Sequence, residues 1–170
     1  MSEFERIIDA TRLPVGEQRF EATPEECAAL AKRFSLAAVH SLIAKVTLAA
    51  DGPVVRVTGK VEADAVQSCA ISGDDLPVRI SEPVALRFVP HYGVAPDADE
   101  IELSAEELDE IEMDGTRFDL GEALAQTMAL GIDPYAEGPR ADEVRREAGL
   151  LDASKTGPLA AALKDLLKGS

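Results

Sequence analysis

Apolar and polar residues alternate most cleanly between residues 54 and 66. Val55, Val57, Gly59, Val61, Ala63 and Ala65 fall in one phase; Arg56, Thr58, Lys60, Glu62 and Asp64 fall in the other. A period of two is that of a strand with one face buried. Residues 37–50 repeat it, with Leu42, Ala44, Val46 and Leu48 set against Ile43, Lys45 and Thr47. Asp51-Gly52-Pro53 between these runs is a turn sequence, so an antiparallel hairpin is expected. A second turn at Gly73-Asp74-Asp75 precedes a third run, 76–89, in which Val78, Ile80, Val84, Leu86 and Phe88 share one phase. Glu82 lies on that inward phase and Pro83 follows it. Proline cannot donate to a ladder, so a bulge or a sheet edge is expected there. Weaker strand patterns cover 4–12, 17–22 and 100–103, and Leu108, Ile111 and Met113 suit a further short element.

The period changes to that of a helix in two places. Thr23-Pro24-Glu25-Glu26 combines a capping hydroxyl, a proline at the first helical position and a glutamate three residues after the cap. Cys27, Leu30, Ala31 and Phe34 follow at helical spacing, which predicts a helix over 24–34. Asp119 is the expected cap of a second helix over 119–131, with Glu122 reaching back to it. Leu120, Ala123, Leu124, Thr127 and Met128 form its buried stripe. Gly131 and Pro134 close it. Residues 132–157 lack a long period and suit a loose tail with a short helix near 141–148. Leu159, Leu163, Leu166 and Leu167 predict a last helix.

These patterns define an α+β chain: an antiparallel, curved or barrel-like β-sheet covered by two helices, plus a C-terminal helix. The expected organisation is a single domain over 1–135 with an acidic insert at 97–114, a flexible linker at 136–157 and the C-terminal helix at 158–169. The leucine-rich face of that helix suits either docking on the domain or binding a partner. With 46% apolar residues in 170, a folded core is expected. No apolar run is long enough to cross a membrane as a helix, and MSEFERIIDATR lacks the apolar segment of a signal peptide. Two cysteines make no disulfide framework, so the expected location is a reducing cytoplasm.

Charge changes the picture most. The net charge is −15, and residues 97–139 carry fourteen Asp or Glu against one Arg; the remainder is nearly balanced. Ten of the eighteen residues from Asp97 to Asp114 are acidic. Such a segment either solubilises a surface or docks a basic protein, and it repels phosphate. Asp99, Glu100, Glu102, Glu106, Glu107, Asp109 and Glu110 are the candidate partner-binding residues, with Ile101, Leu103, Leu108 and Ile111 between them. The alternative is an RNA face made by the outward strand residues Arg56, Lys60, Arg79 and Arg87. A solvated strand face is the simpler explanation of those residues, because antiparallel sheets often leave one face in water. Aromatics are 4% of the chain with no Trp, too few for base-stacking platforms.

Enzyme chemistry finds little to build on. Cys69 lacks a second thiol at Ser72, Cys27 sits on an apolar helix stripe, and His40 and His91 belong to no ligand pattern. Burial as small apolar groups accounts for both cysteines. No catalytic residue, metal or cofactor is expected. A thiol-dependent enzyme would require Cys69→Ser to abolish activity.

Four segments in this order resemble the YceD family, the large ribosomal RNA subunit accumulation proteins, in its alphaproteobacterial form. They are GEQRFEATPEECAALAKRFSL (16–36), VTGKVEADAVQSCAISGDDLPVRISEPVALRFVP (57–90), FDLGEALAQTMALGIDPY (118–135) and PLAAALKDLLK (158–168). The specific positions are Gly59, Cys69 and Pro83, then Asp119, Leu120, Gly121 and Glu122, then Asp133, Pro134 and Tyr135. The resemblance implies a bacterial factor needed for accumulation of large-subunit ribosomal RNA, without an established catalytic activity. Some members have a Cys-x-x-Cys where this chain has Cys69 and Ser72, so no metal site is expected. Joined to the charge pattern, it implies an adaptor whose partner is a basic ribosomal protein or a large-subunit assembly intermediate, with ribosomal RNA contacted directly or indirectly.

Overall fold

In the computed structural model, which describes residues 2–91, 109–148, 166 and 169, each alternating run becomes a strand. The order is β1 (Ile7–Asp9), β2 (Glu17–Glu21), α1 (Pro24–Arg33), β3 (Ala38–Asp51), β4 (Val54–Ser68), β5 (Asp75–Pro90), β6 (Asp109–Met113), β7 (Arg117–Asp119), α2 (Leu120–Leu130) and α3 (Ala141–Glu147). The fold is α+β. Five strands form one sheet in the order β2-β3-β4-β5-β6, and β1 pairs with β7 in a second, two-stranded sheet. Among the described residues β2 and β6 remain edges, so the large sheet does not close into a barrel.

The turn at Asp51-Gly52-Pro53 sets the register of the β3–β4 hairpin. Asp51 faces Val54, Val46 faces Gly59 and Leu42 faces Ala63. The inward phases read from the sequence are buried: Leu42, Ala44, Val46 and Leu48 on β3, Val55, Val57, Val61, Ala63 and Ala65 on β4, and Ile80, Val84, Leu86 and Phe88 on β5. Leu30 of α1 and Leu120, Leu124 and Met128 of α2 are fully buried in the same cluster. Gly59 has φ +156, and a β-carbon there would lie 2.1 Å from the Lys45 carbonyl oxygen. Only glycine lets the two backbones run this close.

Two strand expectations need correction. β6 runs parallel to β5, from Leu86 opposite Asp109 to Pro90 opposite Met113, so the sheet is not wholly antiparallel. A parallel neighbour needs a crossover, and the chain between Pro90 and Asp109 supplies its length. β7 was not expected, because three residues are too few to show a period. The strand expected at 100–103 lies outside the described residues, as does the helix expected at 158–169 except for Leu166, which is helical and exposed, and Gly169. Pro83 is exposed on β5, before the stretch that pairs with β6.

The chain divides into two compact units. One comprises Met1–Gln67 with Pro77–Asp133; the other comprises Ser68–Leu76 with the chain from Pro134 onward. In the second, the Ala70 amide donates to the Ala136 carbonyl at 2.9 Å. Arg140 reaches Asp74 at 3.4 Å, and Arg145 pairs with Glu137. α3 occupies the position of the short helix expected near 141–148.

Candidate interaction site

The residues that the sequence singles out at the helix starts are largely structural. Thr23 caps α1 through a reciprocal pair: its hydroxyl accepts from the Glu26 amide at 3.2 Å, and the Glu26 carboxylate accepts from the Thr23 amide at 2.8 Å. Arg6 grips the same carboxylate at 2.8 and 3.0 Å. Asp119 accepts from the Glu122 amide at 3.2 Å and the Arg6 amide at 2.9 Å, while the Leu120 amide donates to the Arg6 carbonyl at 2.9 Å. A β-carbon on Gly121 would lie 1.8 Å from the Phe4 carbonyl oxygen, so glycine admits the chain before β1 against the start of α2. Leu120 is fully buried.

Glu122 does not reach back to its cap as the sequence suggested. Arg33 of α1 draws it away, donating to both carboxylate oxygens at 2.8 and 2.6 Å. Arg33 also donates to Glu3 at 2.8 Å. This fork holds the Glu122 carboxyl down at about 2, against desolvation, which works the other way. The Arg33 guanidinium is raised by the same two carboxylates. Further along, the Asp133 carbonyl accepts from the buried Gln67 side chain at 2.6 Å. Pro134 opens the later of the second unit's two segments, and Tyr135 is exposed.

Cys69 is buried, as expected, but its sulfur is not merely apolar. It accepts from the Gly138 amide at 3.2 Å and the Ser72 amide at 3.3 Å. Led by the Gly138 contact, these donors bring the thiol down to about 7. Cys27 is buried on α1 and is pushed up by desolvation. Both are free thiols. Among the described residues no group of three or more His, Cys, Asp or Glu is placed to hold a metal ion. No helix among them is long and apolar enough to cross a membrane.

The alternative RNA face lies on the outward side of the large sheet, and three of its four cations, Arg56, Lys60 and Arg87, are engaged. Arg56 pairs with Asp51 at 3.2 Å, Lys60 with Glu62 at 3.0 Å and Arg87 with Glu110 at 2.6 Å. Glu62 is held below the usual carboxylate range by Lys60 first, with Arg79 and Lys45 contributing. The sequence reading missed Arg19 and Lys45. Register puts Arg19 opposite Lys45 and Lys45 opposite Lys60, a three-strand row of cations on one face. Counting outward from the Asp51-Gly52-Pro53 turn would have placed Lys45 beside Lys60. Like charges so opposed destabilise a sheet unless compensated. Glu21 sits 3.0 Å from Arg19, and Glu62 serves Lys60.

The acidic candidates divide. Asp99, Glu100, Glu102, Glu106 and Glu107 lie outside the described residues. Asp109 and Glu110 begin β6, exposed at the sheet edge. Glu112 on the same strand meets His91 at 2.7 Å, and Asp114 follows, exposed. A cleft of about 520 Å³ opens beside this edge, walled by Ile7, Phe88, Ile111, Phe118 and Ala123. Phe88 and Phe118 stack at 4.0 Å between ring centroids. Glu112, Asp114, Asp119 and Glu122 bring four carboxylates to the lining, against Arg117 alone. Sequence patterning gave no sign of this cleft, because it depends on the parallel β5–β6 pairing.

No family model, no curated protein and no solved structure matches this chain.

Proposed function

We propose that this protein is a non-enzymatic cytoplasmic factor in biogenesis of the large ribosomal subunit, belonging with the YceD proteins it resembles. In this reading it supports accumulation of large-subunit ribosomal RNA by binding a basic ribosomal or assembly protein. The observation that carries the reading is the concentration of negative charge: fourteen Asp or Glu against one Arg over residues 97–139. The described part of that segment supplies exposed carboxylates along β6 and into its turn, at Asp109, Glu110, Glu112 and Asp114. A field of this sign steers a basic partner and repels bare nucleic acid.

The test is complementation in cells lacking the protein. Replacing Asp99, Glu100, Glu106, Glu107, Asp109 and Glu110 by their carboxamides should leave large-subunit RNA as low as in the null strain. Restored RNA levels would sink the adaptor reading.

A second reading is direct RNA binding by the outward face. The Arg19–Lys45–Lys60 row favours it, together with Arg56, Arg79 and Arg87. The carboxylates beside Arg19, Arg56, Lys60 and Arg87 weigh against it, since phosphate must displace them. Charge reversal at Arg56, Lys60, Arg79 and Arg87 abolishes RNA retention if this reading holds.

A further inference from the structure

We infer that the cleft beside β6 receives apolar side chains of a basic segment of a partner protein, so that the partner is gripped by apolar burial as well as by charge. This rests on the adaptor reading above and adds a second, separable component to it.

The chemistry of the walls selects the occupant. Ile7 is 53% exposed and lines the same hollow as Ile111, above the stacked and almost fully buried Phe88–Phe118 pair. A hollow of about 520 Å³ lies within the ordinary range of ligand sites. Two of the carboxylates in its lining have internal duties: Asp119 caps α2 and Glu122 holds Arg33. Glu112 and Asp114 stand at the rim, more than half of the Glu112 side chain being exposed. With Arg117 the sole cation in the lining, the rim is net negative. An acidic segment is repelled there and a neutral apolar one gains burial alone, whereas lysines or arginines flanking a leucine or phenylalanine meet both surfaces. A second copy is disfavoured by the net charge of −15 on each chain.

The measurement is fluorescence anisotropy on the full chain with two labelled peptides. The first is a lysine–alanine helix bearing two leucines four positions apart; the second has serines in place of the leucines. Their charge is identical. The expected result is that the leucine peptide binds about tenfold more tightly than the serine peptide. Ile7→Ser and Ile111→Ser should each erase that margin while leaving serine-peptide binding unchanged. Thermal melting checks both variants, and if one melts early the other carries the comparison. Equal binding of the two peptides by the native chain overturns the cleft proposal and leaves the adaptor reading standing. A margin that persists in both variants overturns it as well. Binding of neither peptide removes the adaptor reading along with it. A dimer in sedimentation that Ile7→Ser dissolves assigns the hollow to a second copy and also overturns the proposal.

Discussion

At the scale of single residues, Gly59, Gly121 and Glu122 hold the chain together by close approach and by charge. Gly59→Ala forces a β-carbon against the Lys45 carbonyl, 2.1 Å away, and a positive φ on an L-residue. The expected loss is roughly 2 kcal/mol or more, read as a lower urea midpoint. Gly121→Ala meets the Phe4 carbonyl at 1.8 Å and should be at least as costly. Glu122 gives a pH signature. Its carboxyl titrates at about 2 in the folded chain and near the ordinary 4.5 when unfolded, so the unfolded state binds the proton more readily. The stabilisation is therefore complete above about pH 4.5 and is lost as pH falls through 2. Since the pair is about 30% exposed, screening holds it to ~1 kcal/mol. Glu122→Gln should flatten the stability curve across that window; an unchanged acid limb would contradict the Arg33 clamp. The two thiols should also separate in an ultraviolet titration, with Cys69 ionising near 7 and Cys27 well above it. A single step in the ordinary thiol range would contradict the amide contacts to Cys69.

Elements were legible in the sequence where their signals were local. The alternation of 54–66, the cap at Thr23 and the stripe of Leu120, Leu124 and Met128 each depend on neighbours in the chain, and each was placed within a residue or two. What the sequence hid depends on distant partners. β7 is three residues long and exists because Asp119 faces Ile7 across more than a hundred residues. The parallel placement of β6 beside β5 follows from a crossover rather than a period. Glu122 satisfied the local capping pattern, yet Arg33, on another helix, offered two charged donors and won the carboxylate. The cationic row was half legible: Lys60 stood out in its alternation, while Arg19 and Lys45 joined it only through register. The cleft needed all of these distant pairings at once. Reversing Lys45 to Glu tests the row at this scale. It places a carboxylate between Arg19 and Lys60 and should stabilise the sheet by a few tenths of a kcal/mol, read by thermal melting. A fall in the melting temperature would mean that the neighbouring Glu21 and Glu62 already balance the row.

For the molecule as a whole, the distribution of charge is the observation that favours the proposed adaptor over the proposed RNA binder. A basic face with its cations committed to Asp51, Glu62 and Glu110 sits on the same sheet as an edge that gathers carboxylates. The adaptor account therefore predicts protein-mediated association with the large subunit. The most direct measurement is recovery of the tagged protein from its own cells, with and without nuclease, at low and at high salt. The account predicts that large-subunit ribosomal proteins are retained after nuclease treatment and fall away as salt rises. Retention of ribosomal RNA that nuclease abolishes, taking the ribosomal proteins with it, would contradict the account and assign the contact to the cationic face.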